Sequence, residues 1–333
     1  MGLHIGSNPI GLAAYGLPWR CGFAGAGTPR ACPAPLGAYG LLEMAAEHGL
    51  STVELPLRML PDLEPATLAA FKARADGLGV AIVPASGLVD EAELGVLIPA
   101  AAALGARTMR VVLSGILEGV RATIPGGWEV HLAEQIARLR RLRPLAEAHD
   151  ITIAPENHQD ATSDDLLRVC EEVGGEHIGV TLDAVNPLAV GEEPLAFARK
   201  LGSRIVDVHL KDYTIHPTPS GYLLARCALG KGVLDLPGLF AILAEHAPAA
   251  TCNIELAALF GRHIRLYEDE WWAGFPPRDV REVTPALRLA ARHMRPADEE
   301  WRTPWELEAG ADAMAAYEEG QVVESVVFLR GLA

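Results

Sequence analysis

The feature that most constrains the fold is a regular alternation of short apolar strands with amphipathic helices along the 333 residues. Intervening segments such as LGAYGLLEMAAEHG have apolar residues at helical spacing and a closing Gly, as amphipathic helices do. Strict alternation of strand and helix indicates a parallel sheet. The eight strands predicted from apolar or β-branched runs are residues 3–8, 52–56, 80–86, 108–114, 151–158, 178–185, 205–212 and 252–257.

Eight strand–helix units close naturally into a (β/α)₈ TIM barrel, which is the predicted fold class. The alternative, a doubly wound open sheet, would be favoured by a glycine-rich phosphate loop after the first strand, and HIGSNPIG does not match one. Long loops are predicted after strands 1 and 8. We predict a barrel catalytic domain at 1–295 and a C-terminal helical extension at 296–333, packed on the barrel or on a neighbouring subunit.

Composition argues against several classes of partner. The net charge is −15, and the densest basic segment, residues 137–150, has arginines at helical spacing, so we expect no nucleic acid partner. No apolar run reaches the ~20 residues that span a bilayer, and MGLHIGSNPI lacks the pattern of a signal peptide. These patterns predict a cytoplasmic protein with no membrane partner. Five scattered cysteines without CxxC predict neither a disulfide framework nor a zinc knuckle.

An acid or an imidazole lies near the end of each of the last four predicted strands. These residues are Glu156, Asp183, His209 and Glu255. A single glutamate at a strand end is usually a half-solvated structural residue, but four at matching depth converge on one point in a closed barrel. Three carboxylates at that point repel one another unless a cation lies between them. Three oxygens and one nitrogen predict one divalent ion, Mn²⁺ first and Mg²⁺, Co²⁺ or Zn²⁺ as alternatives.

The motifs APENH, TLDAVNP, DVHLKDY, LGKGVLDLPGL and NIELA resemble the sugar phosphate isomerase/epimerase group, the xylose isomerase-like barrels. The resemblance is close over strands 5 to 8 and limited to pattern over strands 1 to 4. It implies that the same four residues coordinate one divalent metal. Ketose 3-epimerases of this group have Glu where this chain has His158, and His where it has Asn186.

A divalent ion that chelates a carbonyl oxygen and an adjacent hydroxyl eases loss of the intervening proton by stabilising the enediolate. Glu156 and Glu255 are predicted as bases on opposite sides of the ion, and His158 as a further acid or base. Lys211, one of only four lysines, is predicted to neutralise the developing oxyanion, with an ion pair to Asp212 as the structural alternative.

Five further residues are predicted to bind substrate. They are His4, Glu54, Asn186, Arg226 and Trp19. His4 and Glu54 are placed on strands 1 and 2 to bond sugar hydroxyls, Arg226 to reach a substrate oxygen, and Trp19 to stack on a sugar. For His4 and Glu54 the structural alternative is a packed rim residue, and for Trp19 it is an oligomer contact.

The sequence therefore predicts a metal-dependent isomerase or epimerase that acts on a sugar, keto-sugar or polyol. A lyase on the same barrel, either a dehydratase or an enzyme eliminating the aglycone of a 3-oxo-glycoside, is the alternative that His158 favours. A phosphodiester hydrolase is opposed by the net charge, and a non-catalytic sugar-binding barrel by the intact ligand set. The expected partners are a small carbohydrate and further copies of this chain.

Overall fold

The computed structural model describes residues 2–257 and 259–333. Within those ranges the strands are β1 (His4–Ile5), β2 (Asn8–Ala13), β3 (Thr52–Pro56), β4 (Ala81–Leu88), β5 (Thr108–Val112), β6 (Thr152–Glu156), β7 (Val180–Asp183), β8 (Ile205–Leu210), β9 (Asp212–Thr218), β10 (Gly221–Cys227), β11 (Thr251–Ile254) and β12 (Arg262–Ile264). Strands β2 to β8 and β11 are parallel, and the pairing of β2 with both β3 and β11 closes them into a barrel. The predicted (β/α)₈ fold is confirmed.

Helices connect the strands and cover the outside of the barrel. In the described part of the chain they are α1 (Ala38–Glu47), α2 (Pro65–Leu78), α3 (Glu91–Ala103), α4 (Trp128–His149), α5 (Ser163–Val173), α6 (Pro194–Leu201), α7 (Leu236–His246), α8 (Asp269–Trp272), α9 (Val280–His293) and α10 (Ala311–Arg330). Their apolar faces and the outward side chains of the strands form one large core. None of the helices in the described ranges has both the length and the apolar character needed to cross a bilayer.

The predicted position of the first barrel strand is wrong. Residues 3–8 form the short strand β1 and a turn at Gly6, which has φ of +59°, and β1 pairs antiparallel with β2. The barrel strand is β2, and the Asn8 amide anchors its start by donating to the carbonyls of Ala247 and Ala250 at 3.0 and 2.9 Å. A local hairpin and a parallel strand give the same apolar signal over so few residues, so the sequence did not separate them.

Most other strands begin within one or two residues of their predicted positions but end earlier. After β6 the sheet pairing stops at Glu156, and the Asn157 side chain bridges to the backbone of Asp183 instead. Asn157 Oδ1 accepts from the Asp183 N–H at 2.7 Å, and its Nδ2 donates to the Asp183 carbonyl at 2.9 Å. This bridge fixes the ends of two neighbouring strands, and with them the carboxylates that those strands carry.

Polar side chains of β3, β8 and β11 form a hydrogen-bonded layer in the barrel interior. Thr52 donates to Asn253 Oδ1 at 2.7 Å, and Asn253 donates to Asp207 Oδ1 at 3.1 Å. A Cβ at Gly11 would overlap the Thr52 hydroxyl, so only glycine leaves room for this network. The hydrogen-bonded layer gives the strand ends a rigid base.

The insertions after strands β8 and β11 form a small antiparallel sheet of β9, β10 and β12, which the sequence analysis did not predict. Its packed face includes Tyr213, Tyr222 and Leu224, and it lies against Trp271. The small sheet borders one side of the barrel mouth, since β9 begins two residues after β8 ends.

The C-terminal extension packs on the barrel of its own chain. Val322, Val326 and Leu329 of α10 are buried in the main core. The Glu318 carboxylate accepts from the backbone N–H groups of Trp19 and Arg20 at 2.9 and 2.8 Å, and so ties α10 to the loop after β2. A domain boundary at residue 295 stays a prediction.

The Glu318 tie makes stability depend on pH. Burial raises the pKa of Glu318 to about 7, although the two N–H donors and Arg20 lower it. A carboxyl group whose pKa is higher in the folded than in the unfolded state contributes less to the free energy of unfolding as pH rises. We expect the melting temperature of the wild type, relative to Glu318→Gln, to fall as pH rises from about 4.5 to about 7. Thermal denaturation at several pH values measures it.

Glu319→Gln is the matched control, because Glu319 is a partly exposed neighbour that pairs with Arg20 at 2.9 Å. A flat difference between wild type and Glu318→Gln across this range, equal to that of the control, would contradict the buried ionisation.

Candidate metal centre

Four predicted ligands converge at the carboxyl end of the barrel strands. They are Glu156, Asp183, His209 and Glu255, from β6, β7, β8 and the residue after β11. One ligand atom from each lies within 4.8 Å of those of the others, and all four side chains are buried. The barrel order places these strands side by side, which is why residues up to 99 positions apart in sequence meet here.

The orientation of the His209 ring defines the centre. Its Nε2 lies 2.8 Å from Glu54 Oε2, while Nδ1 faces Glu156 Oε1 at 3.3 Å and Glu255 Oε2 at 3.5 Å. Burial opposes protonation of the ring, but these three carboxylates raise its pKa well above the ordinary value. A proton on Nδ1 balances the negative charge here, and a divalent cation at the same place would replace it.

The surroundings shift the pKa values of Glu156 and Asp183 in opposite directions. Burial opposes ionisation of Glu156, but Arg110 and His209 outweigh it and hold its pKa well below the ordinary value. Burial raises the pKa of Asp183 to about 6, although Lys211 counteracts it. Asp183 Oδ1 is buried and has no hydrogen-bond partner among the residues described. An unsatisfied carboxylate oxygen next to possible ligand atoms of three other residues fits a hard or borderline divalent ion.

Lys211 lies inside this cluster. Its ammonium group pairs with Asp183 and, at 2.7 Å, with Glu255 Oε2, and the side chain is buried. The structural alternative, a pair with Asp212, is wrong. Asp212 instead accepts from the backbone N–H groups of Gly230, Gly232 and Leu234 at 3.0 to 3.1 Å, and so shapes the LGKGVLDLPGL loop.

Arg110 of β5 pairs with the carboxylate oxygen of Glu156 that does not face His209. Its Nη2 lies 2.7 Å from Glu156 Oε2, and its Nη1 donates to the Ser86 carbonyl at 3.0 Å. Both oxygens of Glu156 therefore face cationic or hydrogen-bonding groups. A carboxylate held this way is a weak base, because proton uptake would leave Arg110 buried without its counter-ion.

Glu54 and His4 do not occupy the positions predicted for substrate contacts. Glu54 of β3 reaches across the barrel to His209 Nε2 and orients that ring. His4 is exposed, and its Nδ1 bonds the Gly2 carbonyl and contacts the Ser51 hydroxyl at 2.9 and 3.4 Å. Since Ser51 precedes β3, His4 lies at the amino end of the barrel, opposite to the cluster. This placement does not support its predicted substrate contact, which depended on the misplaced first strand.

Asn186 and Trp19 are buried in structural networks. Asn186 Oδ1 accepts from the Tyr213 hydroxyl at 2.9 Å, and its Nδ2 donates to the Asn157 carbonyl at 3.3 Å. Trp19 donates to the Arg30 carbonyl at 2.9 Å and packs among apolar residues of the loop and α10. Neither side chain faces the cluster with a free polar group or ring, so the structure does not support their predicted substrate contacts.

A cavity of about 400 Å³ opens next to the cluster. Three residues predicted as catalytic, His158, Lys211 and Glu255, line it together with Arg226, which was predicted to bind substrate. It is also lined by residues not predicted from the sequence, namely Tyr15, Arg110, Ser114 and Arg262. No periodic signal marks Arg262, which belongs to the insertion after β11, where charged residues are dense in the sequence.

His158 is a neutral group in this cavity. Burial lowers its pKa to about 4, although Glu156 counteracts it. Its Nδ1 has no partner within the described ranges. A neutral imidazole that opens on a cavity can accept a proton there, and once protonated it can donate that proton.

Fold and site together define a (β/α)₈ barrel with a buried acidic and histidine cluster that could bind a metal. The chain belongs to the xylose isomerase-like TIM barrel family, whose profile matches residues 42–273. The predicted family is confirmed.

Relatives within this fold differ in the reactions for which they are named. The chain is 27% identical over 234 residues to the 3-oxo-isoapionate decarboxylase of Pectobacterium atrosepticum, covering 69% of this chain and 78% of the relative. The D-psicose 3-epimerase of Clostridium cellulolyticum H10, solved with D-tagatose, superposes with a TM-score of 0.58 at 15% identity, covering 86% and 99% of the chains. The D-allulose 3-epimerase of Methylomonas sp. superposes with a TM-score of 0.58 at 17% identity, and the match covers 100% of both chains. These structural likenesses show a shared fold.

The role of Glu54 is testable through metal affinity. Glu54→Gln is expected to weaken Mn²⁺ binding by about 10- to 100-fold, because His209 loses the carboxylate that orients its ring and raises its basicity. Calorimetric titration of metal-free protein with MnCl₂ measures the change. Glu43→Gln removes an exposed carboxylate that pairs with Arg74 at 2.8 Å and serves as control. Equal Mn²⁺ affinities of the two variants would exclude the proposed orientation.

Proposed function

We propose that this protein is a divalent-metal-dependent isomerase or epimerase that acts on an oxo-sugar or polyol by proton transfer next to a carbonyl. The observation that carries the proposal is the convergence of Glu156, Asp183, His209 and Glu255 beside a cavity of sugar-compatible size. These four residues would hold the ion, and Mn²⁺ is the proposed one. When bound, the ion supplies a Lewis acid that stabilises negative charge on the substrate oxygen.

Glu255 is the better placed of the two predicted bases. It lines the cavity, whereas both oxygens of Glu156 are engaged by Arg110 and His209. Burial opposes ionisation of Glu255, but Lys211 and His209 lower its pKa, so it is a carboxylate at neutral pH. We assign to Glu255 the removal of the proton from the substrate carbon.

His158 is the second proton-transfer group. It lines the same cavity as Glu255, is neutral, and has an unpartnered Nδ1 among the described side chains. The proton that Glu255 removes stays on its carboxyl group, so inversion of the carbon needs a second proton. His158 would take this proton from solvent at its unpartnered Nδ1 and deliver it to the opposite side of the same carbon. Lys211, next to Glu255, would place positive charge near the oxygen that becomes negative.

A lyase reaction is the second candidate. The relative from Pectobacterium atrosepticum is named a decarboxylase, and loss of CO₂ next to a carbonyl produces the same type of enediolate without a base. A dehydratase, or elimination of the aglycone from a 3-oxo-glycoside, would need the base and would use His158 as the acid. A cytoplasmic location and a homo-oligomeric state stay predictions.

Deuterium incorporation tests the proposal. Metal-free protein, with and without Mn²⁺, is incubated in D₂O with a panel of ketoses, 3-oxo-glycosides and 3-oxo sugar acids, and the products are followed by NMR. The proposal predicts Mn²⁺-dependent exchange at one carbon together with a new epimer or isomer. An alkene, a released aglycone or CO₂ would assign the lyase. Binding of Mn²⁺ without any turnover would overturn the enzymatic proposal.

Single substitutions separate the two proton-transfer groups. Glu255→Gln is expected to lower the exchange rate by about 100- to 10,000-fold at saturating Mn²⁺, because the base is lost. His158→Asn should still exchange the proton of one epimer through Glu255, but the other epimer should no longer form. His158→Asn retains all four proposed ligands, so its Mn²⁺ affinity serves as the internal control. Equal loss of exchange and inversion in His158→Asn would contradict the two-group assignment.

A further inference from the structure

Two arginines on the cavity wall have no anionic partner in the part of the chain that the structure describes. They are Arg226 of β10 and Arg262 of β12. Arg226 is only 8% exposed, and among the described residues its guanidinium makes one hydrogen bond, from Nη1 to the Phe260 carbonyl at 3.2 Å. The Nε atoms of both arginines are buried, and neither has a partner within residues 2–257 and 259–333. Buried guanidinium donors without acceptors are costly.

The register of the small sheet brings these arginines together. Leu224 pairs with Arg262 across β10 and β12, and Arg226 lies two residues further on the same face of β10. Burial and repulsion from Arg226 lower the pKa of Arg262 to about 10. Two like charges therefore share one end of the cavity.

The two carboxylates whose charges act on Arg262, Glu118 and Glu306, are bound to other groups. Glu118 pairs with Arg265 at 2.8 Å and accepts from the His263 N–H at 3.0 Å. Glu306 accepts from the N–H groups of Gly261 and Thr303, both at 3.0 Å. Neither forms an ion pair with Arg226 or Arg262 among the described residues.

The other cations that line the cavity, Arg110 and Lys211, are paired with carboxylates, unlike Arg226 and Arg262 in the described part of the chain. Arg110 is neutralised by Glu156, and Lys211 by Asp183 and Glu255. Positive charge that is left over lies only at the end of the cavity formed by β10 and β12, within the residues described. In a chain with a net charge of −15, such a pair is suited to an anion brought by the ligand.

We propose that Arg226 and Arg262 bind an anionic group at one end of the substrate, and that this group is a carboxylate, so that the enzyme acts on a sugar acid. This inference rests on the proposed function and adds the class of its substrate. Guanidinium groups bind carboxylates through paired, charge-assisted hydrogen bonds. The anion at β10 and β12 and the oxo group at the metal centre then orient the sugar by both ends.

Ligand binding tests the charge requirement independently of turnover. The probes are D-gluconate, its neutral counterpart D-glucitol, and D-glucitol 6-phosphate, titrated calorimetrically in the presence of Mn²⁺. Wild-type protein should bind D-gluconate more tightly than D-glucitol, and added NaCl should weaken the preference. Arg226→Gln and Arg262→Gln should each weaken D-gluconate binding by about tenfold or more and leave D-glucitol unchanged.

Arg281→Gln is the matched control, because Arg281 is exposed on α9 and pairs with Asp279. Arg226→Lys, which retains the charge but not the fork of donors, should keep part of the affinity. If Arg226→Gln does not fold, as judged by circular dichroism, Arg262→Gln carries the test, since Arg262 is less buried.

Each outcome has a distinct meaning. Preference for D-glucitol 6-phosphate over D-gluconate, lost in the arginine variants, would keep the anion subsite but assign it to a phosphate ester. Equal binding of D-gluconate and D-glucitol, or equal effects of Arg226→Gln and Arg281→Gln, would overturn the inference. The metal ligands are intact in these variants, so their Mn²⁺ affinity should equal that of wild type. Failure of wild type to bind Mn²⁺ would instead overturn the proposed function and leave the comparison of probes readable.

Discussion

The structure depends on the balance of charge at the buried carboxyl end of the barrel. Carboxyl groups on or just after five barrel strands lie at this end or just below it with almost no access to water, and isolated charges in such a place cost several kcal/mol each. These residues are Glu54, Glu156, Asp183, Asp207 and Glu255. The protein offsets that cost with three cationic groups, His209, Arg110 and Lys211. In the proposed function a divalent ion takes the place of the proton on His209 and supplies positive charge in its stead.

The pairing of these charges gives Glu156 and Glu255 different proposed roles. Arg110 and His209 occupy both oxygens of Glu156, which suits it to hold an ion more than to move a proton. Glu255 pairs with Lys211 and His209 among the described residues and opens on the cavity, which the neutral His158 also lines. One cluster thus contains both the proposed ligands and the proposed proton-transfer groups.

Segments outside the eight βα units build the walls of the cavity. The loop after β2 contributes Tyr15, and α10 holds that loop through the Glu318 carboxylate. The small sheet of β9, β10 and β12 contributes Arg226 and Arg262. Family members share the barrel, so we expect such additions to decide which sugar is accepted, while the strand ends decide the chemistry.

The amino-acid sequence by itself determined the barrel, most of its strands and the four convergent residues of the centre, because strand periodicity and strand order place consecutive strand ends together. It misplaced the first strand and with it His4, since a hairpin and a parallel strand share one apolar signal. Only the tertiary structure decided that Glu54 orients His209 and that Arg226 meets Arg262. These contacts depend on barrel closure and on strand register inside an insertion, and neither leaves a local pattern in the chain.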